Sequence, residues 1–384
     1  PRQRCAGPAR AVAASPDALG AGDRGQVGTS TSVREDRSYS PDGRDARAHE
    51  PGVERLGAAA QGQHRPSAGL AAKPAIPGSR RHGGGHGCQR PPRVRGAFQP
   101  AAKQIEFGGH ALVWVGDWSA QSARKAISSA AKNGYDYIEL AIFDPWNFNV
   151  SLTKDLLQEF GLRAHASLGL SAKTDVTSLD PSIVAKGDEL LRKVTDVLHE
   201  LGGTELCGVI YSSLAKYPGP ASKEARASSV AAMQRLADYA GDKGINIDLE
   251  VVNRYETNIM NTGSEGLQFL DEVNRPNAFL HLDTYHMNIE EDGMQKSVIQ
   301  AGDRLGYVHI GESHRGYLGS GNVDFDSFFK ALKQINYKGP ITFESFSSAV
   351  VDPSLSNTLC VWRNLWSDSD DLAKKSIDFM KARY

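Results

Sequence analysis

The feature that most constrains the fold is a regular alternation of apolar runs with amphipathic helical stretches, which begins near Gly108 and continues to the C-terminus. Eight of the runs have the length and residue types that are typical of buried strands. They are HALVWV (110–115), YDYIELAIF (135–143), LRAHASLGL (162–170), ELCGVIYS (205–212), INIDLEVVN (245–253), AFLHLDTYH (278–286), GYVHIGES (306–313) and GPITFESF (339–346).

The segments between these runs have helical periodicity, as in SAQSARKAISSAAKNG (119–134). Several end near a glycine (Gly134, Gly202 and Gly244), the residue that most often follows the last turn of a helix. Eight strand–helix units over about 275 residues predict an α/β fold, a (β/α)8 TIM barrel that we assign to residues 105–384. An open doubly wound sheet is the structural alternative, but it usually carries a glycine-rich turn after its first strand, and HALVWVGDWSA has none.

Residues 1–104 have a different composition, rich in Arg, Ala, Gly and Pro and without a sustained apolar period. Such a segment buries too little apolar surface to offset its ordering entropy, so we expect it to be disordered. Two origins are open. An organelle transit peptide would be poor in acids, whereas this stretch contains eight, and a wrongly extended gene prediction fits at least as well because no Met precedes Met233. We expect a cytoplasmic protein, or a plastid or mitochondrial one if the segment is a genuine transit peptide.

The formal net charge of −1 hides an uneven distribution of charge. The first 100 residues contain 15 Arg, one Lys and eight acids, so they carry +8 and the remainder carries −9. The near-zero net charge of the whole chain argues against a general affinity for nucleic acid or for an anionic membrane. No apolar run approaches the ~18 residues of a membrane span, so we expect no membrane partner. The four cysteines form no Cys-x-x-Cys pair, and we expect no disulfide framework.

Polar side chains occur near the ends of the last four predicted strands. They are Glu250, Asp283, His309 and Glu344. Because the carboxyl ends of barrel strands meet on one face, side chains from consecutive strands can converge near the barrel axis. Burying three carboxylates together is very costly without a cation. Three carboxylates and one imidazole form a hard, oxygen-rich ligand set that suits Mn²⁺ or Mg²⁺, with Co²⁺ as a further candidate.

Each of these residues alone has a simpler explanation. An isolated acid in an apolar strand, such as Glu250 or Glu344, is more often a structural residue whose hydrogen bonds are satisfied. His309 alone is as often a hydrogen-bonded core histidine as a metal ligand. Four polar groups at matching strand ends favour the shared site over four separate coincidences.

From about His110 to the C-terminus the chain resembles a known family, the ketose 3-epimerases, which include enzymes of D-tagatose, D-allulose (D-psicose) and L-ribulose. The motifs that carry the resemblance include SLGLSAKTDVTSLDP, GINIDLEVVNRYETNIMNTG, HLDTYHMNIEED, VHIGESHRGYLGSGNVDFDSFFKAL and FESFSS. The resemblance implies a xylose-isomerase-like TIM barrel with one divalent metal ion, Mn²⁺ foremost. It also implies a small-molecule ketose as substrate and a homodimer or homotetramer.

The resemblance assigns roles to individual positions. Four positions match the metal ligands of the family: Glu250, Asp283, His309 and Glu344. Two of them also stand where the family has its catalytic carboxylates: Glu250 and Glu344. Four further positions match residues that contact the substrate: Glu256, His286, Arg315 and Phe346. His286 is expected to reach the substrate from a loop beyond its strand, and Trp114 and residues 167–169 are expected to face the pocket.

The implied chemistry is consistent with these residue types. Inversion at C3 of a ketose requires the removal of a weakly acidic proton next to the C2 carbonyl. One carboxylate takes this proton and a second carboxylate on the opposite face returns one, while a divalent cation stabilises the enediolate.

Three other functions are alternatives to this one. A hydroxypyruvate-isomerase-like enzyme of the same superfamily would use similar metal chemistry on a shorter substrate, and a non-catalytic sugar-binding barrel would use none. The abasic-site endonucleases of the superfamily need several zinc ions and a wider histidine set than His286, His309 and His314, and a basic DNA-binding groove that this acidic barrel lacks.

Overall fold

The structure, a computed structural model, describes residues 105–384, and these residues contain a closed barrel of parallel strands. The strands are β1 (Phe107–His110), β2 (Tyr137–Ala141), β3 (Arg163–Ser167), β4 (Glu205–Gly208), β5 (Asn246–Val251), β6 (Ala278–Asp283), β7 (Leu305–Ile310) and β8 (Ile341–Phe343). Each strand pairs with the next one in the chain, and β1 also pairs with β8, which closes the sheet. The predicted TIM barrel is confirmed, whereas the prediction of disorder for residues 1–104 lies outside the described residues.

Helices connect the strands. They are α1 (Ala120–Asn133), α2 (Val150–Phe160), α3 (Pro181–Glu200), α4 (Lys223–Gly241), α5 (Gly263–Val273), α6 (Thr284–Glu290), α7 (Met294–Ala301), α8 (Phe325–Gln334), α9 (Pro353–Thr358) and α10 (Ser369–Arg383). Most begin after a Ser, Thr, Asp or Asn whose side chain accepts a backbone N–H of the first turn, as Thr262 does for α5. In the described part of the chain, none of the helices is both long enough and apolar enough to cross a membrane.

The first strand lies earlier in the chain than the sequence suggests, so the prediction of a strand over residues 110–115 is wrong. β1 is Phe107–His110, and Ala111–Val113 form a short 3-10 helix. The side chains of this turn are buried. Their burial explains why this part of the sequence is apolar although it does not form a strand. Gly108 adds no hydrophobic signal to β1, yet the position requires glycine because a Cβ there would lie 2.0 Å from the ring of Tyr137.

A hydrogen-bonded network of polar side chains fills part of the barrel interior. The Thr342 hydroxyl oxygen lies 2.8 Å from the hydroxyl oxygens of both Tyr137 and Tyr307. The Tyr307 hydroxyl also donates to Oε2 of Glu139 at 2.8 Å. All four side chains are fully buried. Each bond restricts the rotamers of its partners, so the network gives the polar groups in the barrel fixed positions.

We expect Gly108→Ala to lower the free energy of unfolding by about 1–3 kcal/mol, because the added methyl group would overlap the Tyr137 ring inside a close-packed barrel. Urea denaturation followed by circular dichroism measures the change. Gly293→Ala is the matched control, because among the described residues nothing lies within 4 Å of its added Cβ and its φ of 166° is extended. The control should change by less than about 0.5 kcal/mol, and equal losses in the two variants would contradict the packing argument.

Candidate active site

Polar side chains from β5 to β8 meet at the C-terminal mouth of the barrel. Nδ1 of His309 lies 3.3 Å from Oε1 of Glu344 and 3.7 Å from Oε1 of Glu250. Ligand atoms of Asp283, His309 and Glu344 all lie within 4.8 Å of one another, and ligand atoms of Glu250 and Asp283 are equally close. All four side chains are buried. The four residues that were predicted to converge therefore share one small volume.

Two buried polar atoms in this cluster have no hydrogen-bond partner among the described residues. One carboxylate oxygen of Asp283 caps α6 by accepting the backbone N–H of Tyr285 at 2.7 Å, but the other, Oδ2, is unpaired. Nδ1 of His309 is also unpaired. Buried polar atoms without partners are uncommon, and a bound ion is one of the explanations for them. Since these two atoms lie among carboxylate oxygens, the cluster fits a divalent metal ion.

Burial and repulsion between neighbouring carboxylates raise the pKa of two carboxyl groups in the cluster, those of Glu250 and Asp283. For Glu250, burial raises the pKa to about 8, with repulsion from Glu344 and Asp283 adding to it and His309 opposing it. Burial and the neighbouring Glu344 raise the pKa of Asp283 to about 7. Burial lowers the pKa of His309, but the charges of Glu139 and Glu344 outweigh burial and leave this pKa well above its ordinary value. The carboxylates are thus stable in their charged form only beside a cation.

A cavity of about 510 Å³ opens above the cluster. Seven of the eight predicted site residues line it: Glu250, Glu256, His286, His309, Arg315, Glu344 and Phe346. Asp283, the eighth, is fully buried beside them. Residues 167–169 also line the cavity, as the resemblance implied. Apolar side chains surround the rest of the space: Leu112, Phe143, Leu168, Leu214, Leu355 and Leu359.

His286 lies on the short helix α6, so the expectation that it reaches the pocket from a loop is wrong. Its Nδ1 accepts the backbone N–H of Asn253 at 3.1 Å. Burial, with the positive charges of Arg315 and His309, lowers the pKa of His286 well below its ordinary value. The neutral ring therefore carries its proton on Nε2, which lies 3.7 Å from Oε1 of Glu250. His286 presents a hydrogen-bond donor to the cavity.

Known proteins resemble this chain over most of the residues that form the barrel. Residues 127–383 match the family described as xylose isomerase-like TIM barrel. The chain is 81% identical over 282 residues to the L-ribulose 3-epimerase of Methylomonas sp. (strain DH-1), an alignment that covers 73% of this chain and 99% of that protein. It is 53% identical over 277 residues to the ketose 3-epimerase of Arthrobacter globiformis, which covers 72% of this chain and 96% of that protein.

The chain belongs to the ketose 3-epimerase family. A crystal structure of D-allulose 3-epimerase from Methylomonas sp. in complex with D-allulose agrees, with a TM-score of 0.73 and 80% identity over 74% of this chain and 98% of that chain. The family resemblance in the sequence is thereby confirmed, and the protein is an isomerase of the carbohydrate epimerase type.

Arg315 brings a positive charge to the epimerase site. Its Nη1 donates to Oε2 of Glu344 at 2.6 Å, and its Nη2 lies 3.7 Å from Oε1 of Glu256. The guanidinium lies between two aromatic rings, with the ring centre of Tyr285 at 3.8 Å and that of Phe346 at 4.8 Å. The φ of Arg315 is 61°, a left-handed conformation that is costly for an arginine. Such local strain is characteristic of functional sites.

Asn253 holds the side chain of Glu256 in place. Arg254, two residues before Glu256 in the chain, forms an ion pair with Glu290 at 2.6 Å. Oε1 of Glu256 accepts the side-chain N–H of Asn253 at 2.9 Å, and burial raises the pKa of Glu256. The carboxylate therefore remains at the edge of the epimerase cavity, as the family pattern implied.

Trp114 does not line the cavity, so the expectation that it faces the pocket is wrong. Its indole N–H donates to Oδ1 of Asp370 at 3.0 Å, and its ring packs edge-on against Tyr135. The reason is the position of β1: the strand ends before Trp114, and the 3-10 turn directs this side chain towards α10.

Sequence reasoning missed two residues that lie against the epimerase site, Glu139 and His110. Oε2 of Glu139 lies 2.9 Å from Nε2 of His309, and His110 lines the cavity with its Nε2 3.2 Å from Oγ of Ser167. A signal existed for Glu139, because it is an acid inside the apolar run YIELA, as Glu250 is in its own strand. His110 was placed at the start of a predicted strand, whereas it is the last residue of β1.

Proposed function

We propose that this epimerase inverts C3 of free ketoses, interconverting D-fructose and D-allulose, D-tagatose and D-sorbose, or L-ribulose and L-xylulose. The observation that carries the proposal is that Glu250 and Glu344 line one cavity and flank the same imidazole nitrogen, Nδ1 of His309. Two carboxylates beside one reacting carbon are what the removal and return of a proton require. The names of the relatives, which include an L-ribulose 3-epimerase and a D-allulose complex, support ketoses as the substrate class.

A divalent metal ion belongs to this proposal. The residues that would hold it are Glu250, Asp283, His309 and Glu344, and their oxygen-rich set favours Mn²⁺, with Mg²⁺ and Co²⁺ as the next candidates. When bound, the ion supplies Lewis-acid stabilisation of the negative charge that develops next to C3 as its proton leaves.

Side chains of the protein carry out the proton transfers. Because epimerisation runs in both directions, the carboxylate that takes the C3 proton in one direction returns one in the other, so Glu250 and Glu344 exchange roles. Nε2–H of His286 and the guanidinium of Arg315 donate to sugar oxygens near O1 to O3, and Glu256 accepts a sugar hydroxyl. Phe346 forms an apolar wall beside them. Fixing the sugar by one end places C3 between the two carboxylates.

Glu344→Gln should lower kcat by about 10²- to 10⁴-fold, because an amide cannot accept the C3 proton. The measurement is a substrate panel of ketohexoses, ketopentoses and hydroxypyruvate with Mn²⁺ present, analysed by chromatography. The control is Glu159→Gln, in an exposed ion pair with Arg124, which should leave kcat unchanged. Full turnover by Glu344→Gln would exclude this carboxylate from proton transfer. Wild-type protein that inverts C3 of none of the ketoses would overturn the proposed function, and isomerisation of hydroxypyruvate alone would favour the shorter-substrate enzyme.

Metal binding should stabilise the folded protein. At a free Mn²⁺ concentration 100 times its Kd, the free energy of unfolding should rise by about 2.7 kcal/mol relative to the EDTA-treated protein. Asp283→Asn should abolish this gain. A gain of equal size in the variant would exclude Asp283 as a ligand.

Without metal, Asp283→Asn should stabilise the folded protein at pH 8. With Mn²⁺ present, the same substitution removes the stabilisation that the ion provides. Burial and Glu344 raise the pKa of Asp283 from an ordinary 3.8 to about 7 in the folded protein. The unfolded state therefore loses this proton first, and folding stability falls as pH rises from about 4 to 7. Asn carries no charge, so metal-free Asp283→Asn should unfold at a higher urea concentration than metal-free wild type. A lower midpoint for the variant would contradict the proposed charge penalty.

Ketose phosphates should be poor substrates. Among the residues that line the cavity, Arg315 is the only Lys or Arg, and its guanidinium is already bound to Glu344. The apolar part of the cavity, beside Leu355 and Leu359, therefore offers no positive side chain to a phosphate dianion, which would lose its hydration there without a compensating charge. We expect kcat/KM for D-fructose 6-phosphate to be at least ~100-fold below that for D-fructose, with a neutral 6-deoxyketohexose as the control. Comparable values for the phosphate and the free sugar would contradict this charge argument.

A further inference from the structure

We propose that Glu139 is a positioning residue of the metal site, which holds the imidazole of His309 in the orientation that presents Nδ1 to Glu250, Asp283 and Glu344. The inference rests on the proposed function, because it concerns the same site and assumes that the site binds a divalent ion.

Glu139 lies on β2 and contacts the side of His309 that faces away from the other three carboxylates. Its Oε2 is 2.9 Å from Nε2 of His309 and also accepts the hydroxyl of Tyr307 at 2.8 Å. Its other oxygen, Oε1, lies 3.5 Å from Nε2 of His110. The side chain is fully buried and does not line the cavity. A sugar bound in the cavity cannot touch Glu139, so any effect of this residue on the site passes through its neighbours.

The contact with Glu139 decides which ring nitrogen of His309 is available to bind a metal ion. A carboxylate accepts hydrogen bonds, so Nε2 of His309 carries the proton that Glu139 accepts. Nδ1 is then the nitrogen whose lone pair a metal ion can take, in place of any proton there, and it lies 3.3 Å from Oε1 of Glu344. A carboxylate behind an imidazole ligand fixes the ring and raises its basicity, which strengthens the bond to a metal ion.

Other buried side chains hold Glu139 and His309 in this arrangement. The Tyr307 hydroxyl contacts Oγ1 of Thr342 as well as Glu139. Thr342 therefore fixes the position of this hydroxyl, and the hydroxyl in turn stabilises the rotamer of Glu139. The ring of His281 lies edge-on to the ring of His309 with centres 4.1 Å apart. This contact opposes a flip of the His309 ring, which would exchange its two nitrogens. The arrangement is therefore built from several elements of the barrel rather than from one salt bridge.

Glu139→Gln tests the inference, because it keeps the size of the side chain and removes its charge. Metal-free full-length protein is titrated with MnCl₂ in a calorimeter. The Kd for Mn²⁺ should rise by about 10- to 100-fold relative to wild type. The control is Tyr137→Phe, which removes a buried hydroxyl of the same network that contacts Thr342 and not Glu139, and its Kd should equal that of wild type.

A second substitution covers the case in which Glu139→Gln does not fold. Tyr307→Phe removes the hydroxyl that donates to Oε2 of Glu139 but keeps the carboxylate, so it should raise the Kd for Mn²⁺ by less than Glu139→Gln. Saturating Mn²⁺ should leave the KM for D-fructose of each variant close to that of wild type, because neither residue lines the cavity. A residue with a purely structural role would lower the free energy of unfolding without changing the Kd for Mn²⁺.

The outcomes separate this inference from the proposed function. Wild-type protein that binds Mn²⁺, together with a folded Glu139→Gln variant of unchanged Kd, would overturn the inference alone. If Glu139→Gln does not fold, an unchanged Kd in Tyr307→Phe would overturn it. Wild-type protein that binds no divalent ion would overturn the inference and the proposed metal site together. A raised Kd in Glu139→Gln with an unchanged Tyr137→Phe would support the positioning role.

Discussion

Like charges buried side by side are the constraint on which the rest of the structure depends. Glu250, Asp283 and Glu344 lie around one imidazole at the mouth of the barrel, where water does not screen them. Their repulsion and burial raise the pKa of Glu250 to about 8 and that of Asp283 to about 7. Arg315 offsets part of this charge at Glu344. In the proposed function a divalent cation offsets the remainder, so the stability of the charged site and its chemistry would have the same requirement.

The barrel makes this arrangement by the pairing of its strands. Asp283 and His309 are paired in register across β6 and β7, and Glu344 follows β8 directly. Closure between β1 and β8 then brings these ends around one axis. The cavity is polar where these side chains lie and apolar beside Leu355 and Leu359. In the proposed function, a sugar is recognised by one end, and its other end contacts apolar side chains, which discriminate only by size and by lack of charge.

Much of this could be predicted from the sequence, because β5 and β6 are mainly apolar runs that carry an acid near the end, Glu250 and Asp283. β1 was misplaced because Gly108 and Gly109 carry no hydrophobic signal, whereas the buried turn after them does. The misplacement of β1 also led to the wrong expectation that Trp114 faces the pocket. Glu139 carried the same signal as Glu250, but its partner on β7 depends on barrel closure, which local sequence patterns do not encode.

The most direct test of the metal site is the anomalous diffraction of a crystal grown with Mn²⁺, recorded at the manganese absorption edge. The account requires one strong peak within bonding distance of Glu250, Asp283, Nδ1 of His309 and Glu344. A peak bound elsewhere, or a fully ordered site with no peak at saturating Mn²⁺, would contradict it.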